Sequence, residues 1–376
     1  MKASFTFFFL LPLYLFLSLN MMLSNIIIII IDEKVEEPEE IITKKTNIKE
    51  NIDLFLQSKI EDHGIPGMAV AVVSDGELLY KRSFGHANLE KGKRMTDSSL
   101  FRLHSLSKVF VVTGIFQLME EGTLSLDDRV DKYVHNLPEG WGNRKLKHLL
   151  SHSSGLPDIR FYVDLNEEEA RKKVFSKPLK YEPGEKFEYN QTNFWLINKI
   201  VENTCDQSIE ELVINGQFGP GFEGKAMFLN GNTNEVAQQA TGYYPSEEHG
   251  IAPDSFHTPD WLFGAAGMNL SLNAFLEWNK NLDVGSYLSS GGKKAMWTPF
   301  SYAEEFPFAH GWGLYKVNDF DSFGFTGGGK VGFRKFSKQD LSIIVLTNGY
   351  EKSFRVDNII NTLAGMVKPE LAAPDL

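Results

Sequence analysis

The sequence predicts an α+β fold in which one antiparallel sheet is built from both ends of the chain, with a mostly helical lobe inserted between. Three observations support this prediction. Strand-like segments occur in two groups, at about 68–88 and 311–348, while residues 131–290 are mostly helix and loop. An apolar helix follows the first group of strands, and another helix ends the chain. Segregated strands and helices are typical of α+β architecture, and 376 residues suit one large or two interleaved domains.

The first residues differ from the rest of the chain. Lys2 precedes a long apolar run, and residues 32–46 are acidic. We therefore expect a signal peptide or membrane anchor at 1–31, an acidic linker at 32–46, and an exported body that is periplasmic or otherwise extracytoplasmic. The run is longer than an ordinary signal core and lacks a clear cleavage motif, so cleavage and anchoring both stay open.

The next segment begins the sheet lobe, which we assign to 47–130 and 291–376. Apolar residues at helical spacing predict a helix over 47–63, which Gly64 and Pro66 end. Asp75-Gly76 then joins two strand-like runs and predicts a hairpin. The first run, Met68 to Val73, is apolar throughout, which predicts burial on both faces.

A nearly all-apolar helix follows and ends near Gly122. At its start, Ser105 and Lys108 have S-x-x-K spacing, which places them on one helix face. A serine with a basic group one turn away can be a nucleophile with its proton acceptor, provided that burial keeps the lysine neutral. The same spacing recurs at Ser290 and Lys293, in a glycine-rich segment without a helical pattern after it.

The predicted helical lobe, 131–290, contains helices near 145–150, 166–176 and 193–203, followed by loops over 215–260. One more helix follows Ser271 or Asn273, either of which could cap it. Tyr189 precedes the 193–203 helix and is either a proton relay or a packed aromatic residue. The sheet lobe then resumes with strands up to residue 348 and closes with a helix from Val356 to Val367.

A glycine-rich sequence, Thr326 to Gly329, ends one of the late strands. It either offers free N–H groups to a substrate carbonyl or forms a bulge or tight turn.

Several other classes are excluded or disfavoured. A net charge of -11 disfavours a nucleic-acid partner, and the single Cys205 excludes an intrachain disulfide. The run from Gly324 to Lys330 nearly fits a phosphate-binding loop, but Val331 stands where a Ser or Thr would hold magnesium. A zinc pair at His148 and His152 lacks a third ligand, and no G-x-S-x-G motif is present.

Several blocks in order resemble the serine β-lactamase and D,D-peptidase superfamily, most closely its class C β-lactamase, carboxypeptidase and esterase branch. FRLHSLSK resembles the nucleophile motif, LKHLLSHSSGLPD the LLTHTSGLP stretch, and PGEKFEYNQTNF the block with the Y-x-N motif. GAAGMNLSLNAFLEW and GFTGGGKVGF are similar to later glycine-containing segments, and the resemblance covers about residues 50–365. It implies a β-lactamase/transpeptidase-like fold.

The resemblance also implies acyl transfer without a metal or cofactor. Ser105 would attack a carbonyl, Lys108 and Tyr189 would manage protons, and the backbone N–H groups of Ser105 and Gly328 would form the oxyanion hole. The expected substrate-binding residues are Gln191, Phe325, Thr326 and Gly327.

Two residues depart from the family pattern. Gln191 replaces the third residue of Y-x-N and adds a methylene to its amide. Phe325 replaces the Lys or His of the K-T-G or H-T-G motif, which disfavours substrates whose carboxylate needs a cation. Lys330 is a candidate to compensate for the missing cation.

We therefore expect a serine hydrolase that cleaves an ester or amide, with a small molecule or cell-wall peptide as substrate. The alternative is a catalytically impaired family member that binds such a peptide or a partner. Membrane contact would come only from an uncleaved N-terminus, and a monomer is favoured while the oligomeric state stays open.

Overall fold

Both ends of the chain contribute strands to one antiparallel sheet, as the sequence predicts. The computed structural model describes residues 38–232, 236–248 and 250–372, with the side chains of 38–46 excepted. Within this part of the chain, seven strands lie in the order β3-β2-β1-β12-β11-β10-β9. The central pair joins β1 to β12, so an early strand and the last strand lie side by side.

The strands of this sheet have the following bounds: β1 Gly67–Ser74, β2 Glu77–Asn88, β3 Lys93–Arg94, β9 Gly313–Val317, β10 Phe320–Gly327, β11 Val331–Phe336 and β12 Leu341–Thr347. Two smaller sheets are also present in the described residues. They contain β4 Leu100–Arg102, β5 Ala226–Phe228, β6 Tyr243–Ser246, β7 Gly250–Pro253 and β8 Met268–Ser271.

The described α-helices are α1 Pro38–His63, α2 Ser107–Glu120, α3 Leu146–Leu150, α4 Glu167–Phe175, α5 Thr192–Cys205, α6 Ile209–Gln217, α7 Phe263–Ala266, α8 Leu272–Asp283, α9 Ser290–Trp297 and α10 Val356–Val367. Residues described from Asn51 onward form one compact unit, so the two lobes and their boundaries stay a prediction.

The predicted hairpin and central strand are confirmed. Asp75 and Gly76 both have positive φ and connect β1 to β2. Seven of the eight β1 residues are buried, because β1 is paired on both edges and covered on both faces. Ser271 caps α8 by accepting a hydrogen bond from the Ala274 N–H, which settles the choice between the two predicted caps.

Helices cover the two faces of the sheet near β10 and β11. On one face, Phe333 of β11 packs against Phe275 and Trp278 of α8. On the other, Gly332 lies so close to Ile360 and Val356 of α10 that an added Cβ would be 2.7 Å from Ile360. Because side chains alternate along a strand, the two faces of β10 meet different surroundings. Helix α2, with 11 of its 14 residues buried, completes the core, as its all-round apolar pattern predicts.

Three expectations are corrected. The loops predicted over 215–260 contain the end of α6 and the strands β5 to β7, which are too short for periodicity to reveal them. The segment after Ser290 is the helix α9, capped by Ser289 despite its glycines. Helix α1 begins at Pro38, so the described second half of the predicted linker is helical.

The predicted export segment, 1–31, lies outside the described residues, as does the linker before residue 38. Among the helices that are described, none has the length and apolar character needed to cross a membrane. Export and anchoring therefore stay predictions.

Candidate active site

Ser105 lies in the tight turn His104–Leu106, which connects β4 to the buried helix α2. Strand β8 fixes this turn from the side. The Leu103 N–H donates to the Met268 carbonyl at 2.9 Å, and the Met268 N–H donates to Ser107 Oγ at 3.1 Å. The Ser107 hydroxyl in turn donates to the His104 carbonyl at 2.6 Å. The serine between the two motif residues thus holds the turn that presents Ser105.

Tyr189 contacts the predicted nucleophile directly. Its hydroxyl donates to Ser105 Oγ at 2.8 Å, although the two residues are far apart in sequence. The turn after Tyr189 is fixed by buried neighbours. The Asn190 side chain donates to the Leu156 carbonyl at 2.5 Å, and the Thr192 hydroxyl donates to the Pro157 carbonyl at 2.6 Å. The block containing the SSGLP sequence therefore positions the tyrosine.

Lys108 lies fully buried behind this pair. Its Nζ donates to the Ala265 carbonyl at 2.6 Å and to Gln191 Oε1 at 3.2 Å. The same atom lies 4.9 Å from the ring centroid of Tyr189 and 4.8 Å from that of Phe194. Burial lowers the pKa of Lys108, because desolvation penalises the ammonium more than Tyr189 favours it. The lysine therefore has the environment that the predicted proton acceptor needs.

Gln191 keeps the contact to Lys108 that its extra methylene put in question. Its backbone N–H donates to Asp158 Oδ1 at 3.1 Å, and Asp158 forms an ion pair with Arg160 at 3.1 Å. Asp158 is nearly buried, and burial raises its pKa. Sequence reasoning did not single out Asp158, because an aspartate that follows SSGLP carries no signal of its own.

His152 packs beneath Tyr189, with the two ring centroids 4.5 Å apart. Its Nδ1 accepts from the Asn190 N–H at 3.1 Å, while Nε2 has no hydrogen-bond partner among the described residues. Burial, with a smaller effect from Lys108, holds its pKa well below 6.5, so the ring is neutral at neutral pH. His148 bonds the Lys145 N–H instead, and no cluster of metal-ligating residues occurs in the described chain.

The end of β10 passes against the nucleophile turn. A Cβ added to Gly327 would lie 2.0 Å from the Leu103 carbonyl oxygen, so only glycine fits. Gly328 has φ +56°, and an added Cβ would lie 3.1 Å from the His104 ring. Over the described residues, the backbone N–H groups of Ser105 and Gly328 have no protein acceptor. The geometry thus brings together the two segments of the predicted oxyanion hole.

Phe325 gives this strand an apolar face toward Tyr189. The Phe325 ring centroid lies 6.2 Å from that of Tyr189 and 6.1 Å from that of Phe308. Lys330 does not replace the missing cation, because its Nζ donates to the Tyr243 carbonyl at 2.7 Å and lies 3.6 Å from Asp254 Oδ2. The sequence-based suggestion that Lys330 compensates is therefore wrong.

Thr326 lies next to a buried cation that the sequence analysis missed. Arg334 Nη2 donates to Thr326 Oγ1 at 2.8 Å, and Thr326 Oγ1 donates to Asp357 Oδ1 at 2.8 Å. Arg334 and Asp357 also form an ion pair. Arg334 lies one strand away from Thr326 and Asp357 lies on α10, so only the paired register and helix packing bring them together.

These elements define a serine hydrolase fold with an S-x-x-K nucleophile turn. A family model described as beta-lactamase matches residues 48–365. The chain therefore belongs to the beta-lactamase family.

Individual relatives agree with this assignment. A D-aminopeptidase of Gluconobacter oxydans is 28% identical over 75% of this chain and 56% of its own length. Penicillin-binding protein 4* of Bacillus subtilis is 25% identical over 72% of this chain and 64% of its own length. The chain thus spans less than two thirds of both curated relatives. The solved D-amino acid amidase of Ochrobactrum anthropi superposes with a TM-score of 0.72 at 20% identity, covering 87% of this chain and 99% of the amidase. This likeness establishes the α+β, β-lactamase-like fold.

Proposed function

We propose that the protein hydrolyses an uncharged ester or amide through an acyl-enzyme intermediate on Ser105. The observation that carries this proposal is the 2.8 Å hydrogen bond between Tyr189 and Ser105, with the buried Lys108 directly behind the tyrosine ring. A nucleophile, a proton relay and a desolvated base within contact distance are the groups that covalent acyl transfer requires.

The reaction follows from these positions. Ser105 Oγ bonds to the substrate carbonyl carbon, and its proton passes toward Tyr189 and Lys108 while the N–H groups of Ser105 and Gly328 hold the oxyanion. The bond from the carbonyl carbon to the leaving oxygen or nitrogen then breaks, and the leaving group takes that proton. Water next attacks the acyl carbon and gives up a proton to the same relay. The bond from that carbon to Ser105 Oγ then breaks, Oγ takes the proton from the relay, and the acid leaves.

The walls of the site favour a substrate without charge beside the carbonyl. Phe325 offers neither a cation nor a hydrogen bond, and aromatic rings continue away from it through Phe308, Phe187 and Phe306. Phe306 lines a groove of about 1110 Å³, together with Phe300 and Phe323. The relatives named as a D-aminopeptidase and a D-amino acid amidase support including amides in the proposed substrate class.

Covalent labelling tests the proposal. Wild type should react with a fluorophosphonate probe and form an adduct on Ser105 that peptide mass spectrometry locates, and Ser105→Ala should not. Ser290→Ala is the matched control, because Ser290 begins an S-x-x-K sequence on the exposed N-terminus of α9. Folded wild type that stays unlabelled and turns over no ester or amide would refute the proposal and favour a binding protein.

The substrate preference has its own measurement. We expect kcat/KM for a simple aryl ester to exceed that for a carboxylate-bearing cephalosporin, because Phe325 leaves the carboxylate without a partner. Faster turnover of the cephalosporin would contradict this role of Phe325.

A further inference from the structure

We propose that Asp357 occupies a carboxylate-binding site of this enzyme and thereby excludes carboxylate-bearing substrates. This inference rests on the proposed hydrolase function and concerns the substrate class of the same site. The site consists of two donors, the hydroxyl of Thr326 and the guanidinium of Arg334, and both are bonded to the same oxygen, Asp357 Oδ1.

The donors are rigidly held. The Arg334 side chain is 2% exposed, and its Nη1 donates to the carbonyls of Phe325 at 2.9 Å and Phe333 at 2.8 Å. Its guanidinium carbon lies 3.3 Å from the ring centroid of Tyr315. A guanidinium fixed in this way cannot swing out to solvent, so its Nη2 stays at a fixed place where it can hold an anion.

Asp357, which occupies the site, is more exposed to solvent than the donor Arg334. The Asp357 side chain is 29% exposed, compared with 2% for that of Arg334. Asp357 lies in the first turn of α10, and its side chain bonds to Thr326 of β10 and Arg334 of β11. Its removal would therefore expose the donors at the protein surface without removing a residue from the core.

The position of the site relative to the nucleophile makes it relevant to substrate choice. Thr326 is two residues before Gly328, whose N–H belongs to the proposed oxyanion hole, and two strand residues span about 7 Å. The pairing of β9 with β10 ends at Gly324, so Thr326 lies beyond the protected part of that edge. A substrate carboxylate that reaches these donors would find both of them already bonded to Asp357 Oδ1, so the cation that could hold it is taken.

The acetate-binding experiment uses Asp357→Ala, because acetate is close to the fragment that this substitution removes. We expect 100 mM acetate to raise the Tm of Asp357→Ala by about 2 °C relative to chloride of equal ionic strength, and to leave wild type unchanged. Acetamide, which has the shape without the charge, should give no such shift. Asp62→Ala is the matched control. Asp62 lies on α1 instead of α10, its side chain is 55% exposed, and it pairs with Lys59 of the same helix.

The kinetic experiment compares nitrocefin, which carries a carboxylate, with p-nitrophenyl acetate, which does not. The ratio of their kcat/KM values should rise at least about 10-fold in Asp357→Ala, mainly through KM, and stay at the wild-type value in Asp62→Ala. Acetate should inhibit nitrocefin turnover competitively in Asp357→Ala alone.

Each outcome decides a separate point. No acetate shift in Asp357→Ala would overturn the anion site, and this thermal readout needs no enzymatic activity. A shift with an unchanged kinetic ratio would overturn the role in specificity and leave Asp357 a structural ion-pair partner. If the alanine variant does not fold, Asp357→Asn replaces it, with an expected ratio increase of about 3-fold, because the repulsive charge is lost while the oxygen is kept. An unchanged ratio in the asparagine variant would equally overturn the inference.

Discussion

The two walls of the candidate active site hold their buried cationic groups in different ways. On the helical side, Ser105, Tyr189 and Lys108 form a chain of polar groups whose last member is buried without a carboxylate bonded to it. On the strand side, Arg334 is also buried, but Asp357 and Thr326 satisfy its charge. The helical wall holds Lys108, whose pKa is lowered by burial. The strand wall holds Arg334, whose charge is balanced by Asp357.

This difference separates the residues that carry out acyl transfer from those that select the substrate. The pKa of a lysine falls readily on burial, whereas a guanidinium stays protonated and needs a partner. Substitutions on the helical wall should therefore change the rate of acyl transfer, while substitutions on the strand wall should change stability or which substrate is accepted. The following variants test that division.

The largest effect is expected for Lys108→Met. Removing the proton acceptor should lower kcat by about 10²–10⁴-fold, while the free energy of unfolding should stay equal or rise, because an apolar side chain replaces a desolvated amine. In wild type, the acid limb of kcat/KM should lie below pH 10.5, since burial lowers the pKa of Lys108 from that value and the limb follows its deprotonation. Steady-state kinetics and chemical denaturation measure both quantities.

Lys293→Met is the control for this variant. Lys293 belongs to the second S-x-x-K sequence, but its Nζ donates to the carbonyls of Leu282 and Asp283 at 3.0 and 2.9 Å. Its loss should leave kcat and its pH profile unchanged. An equal fall of kcat in both lysine variants would show that the Lys108 effect is not specific to the site.

Gly327→Ala should act on the strand wall and mainly on stability. The new Cβ would lie 2.0 Å from the Leu103 carbonyl oxygen, and such overpacking should lower the free energy of unfolding by about 3 kcal/mol. Gly329→Ala is the control in the same turn, since its φ is +70° but no atom lies within 4 Å of the added Cβ. Its cost should be about 1 kcal/mol, from backbone strain alone. If denaturant unfolding shows the same loss of free energy of unfolding in both variants, the contact with the Leu103 carbonyl does not explain the effect of Gly327→Ala.

The helical wall could be predicted from sequence more fully than the strand wall, for a physical reason. Ser105 and Lys108 are one helical turn apart, so periodicity alone places them together. Its sequence setting made Tyr189 only a candidate, and the resemblance was needed to choose it, because nothing local links residues 105 and 189. Asp357 and Arg334 are brought together only by the packing of α10 on β11, which no motif encodes. In the same way, α9 was missed because its capping by Ser289 outweighs the low helix propensity of two glycines.

The smallest expected effect, for Gln191→Asn, sharpens the comparison. The 3.2 Å contact from Lys108 is longer than its 2.6 Å bond to the Ala265 carbonyl, so the amide is the weaker of the two acceptors. Shortening it by one methylene should lower kcat by about 3-fold and the free energy of unfolding by no more than about 1 kcal/mol, because a hydrogen bond of this kind contributes about that much. Gln191→Glu should instead raise the pKa of Lys108 and move the acid limb of kcat/KM to higher pH, since a carboxylate favours the ammonium. A fall of more than about 100-fold in Gln191→Asn would place the amide among the groups that hold the base, and would mean that the helical wall depends on pairing as much as the strand wall does.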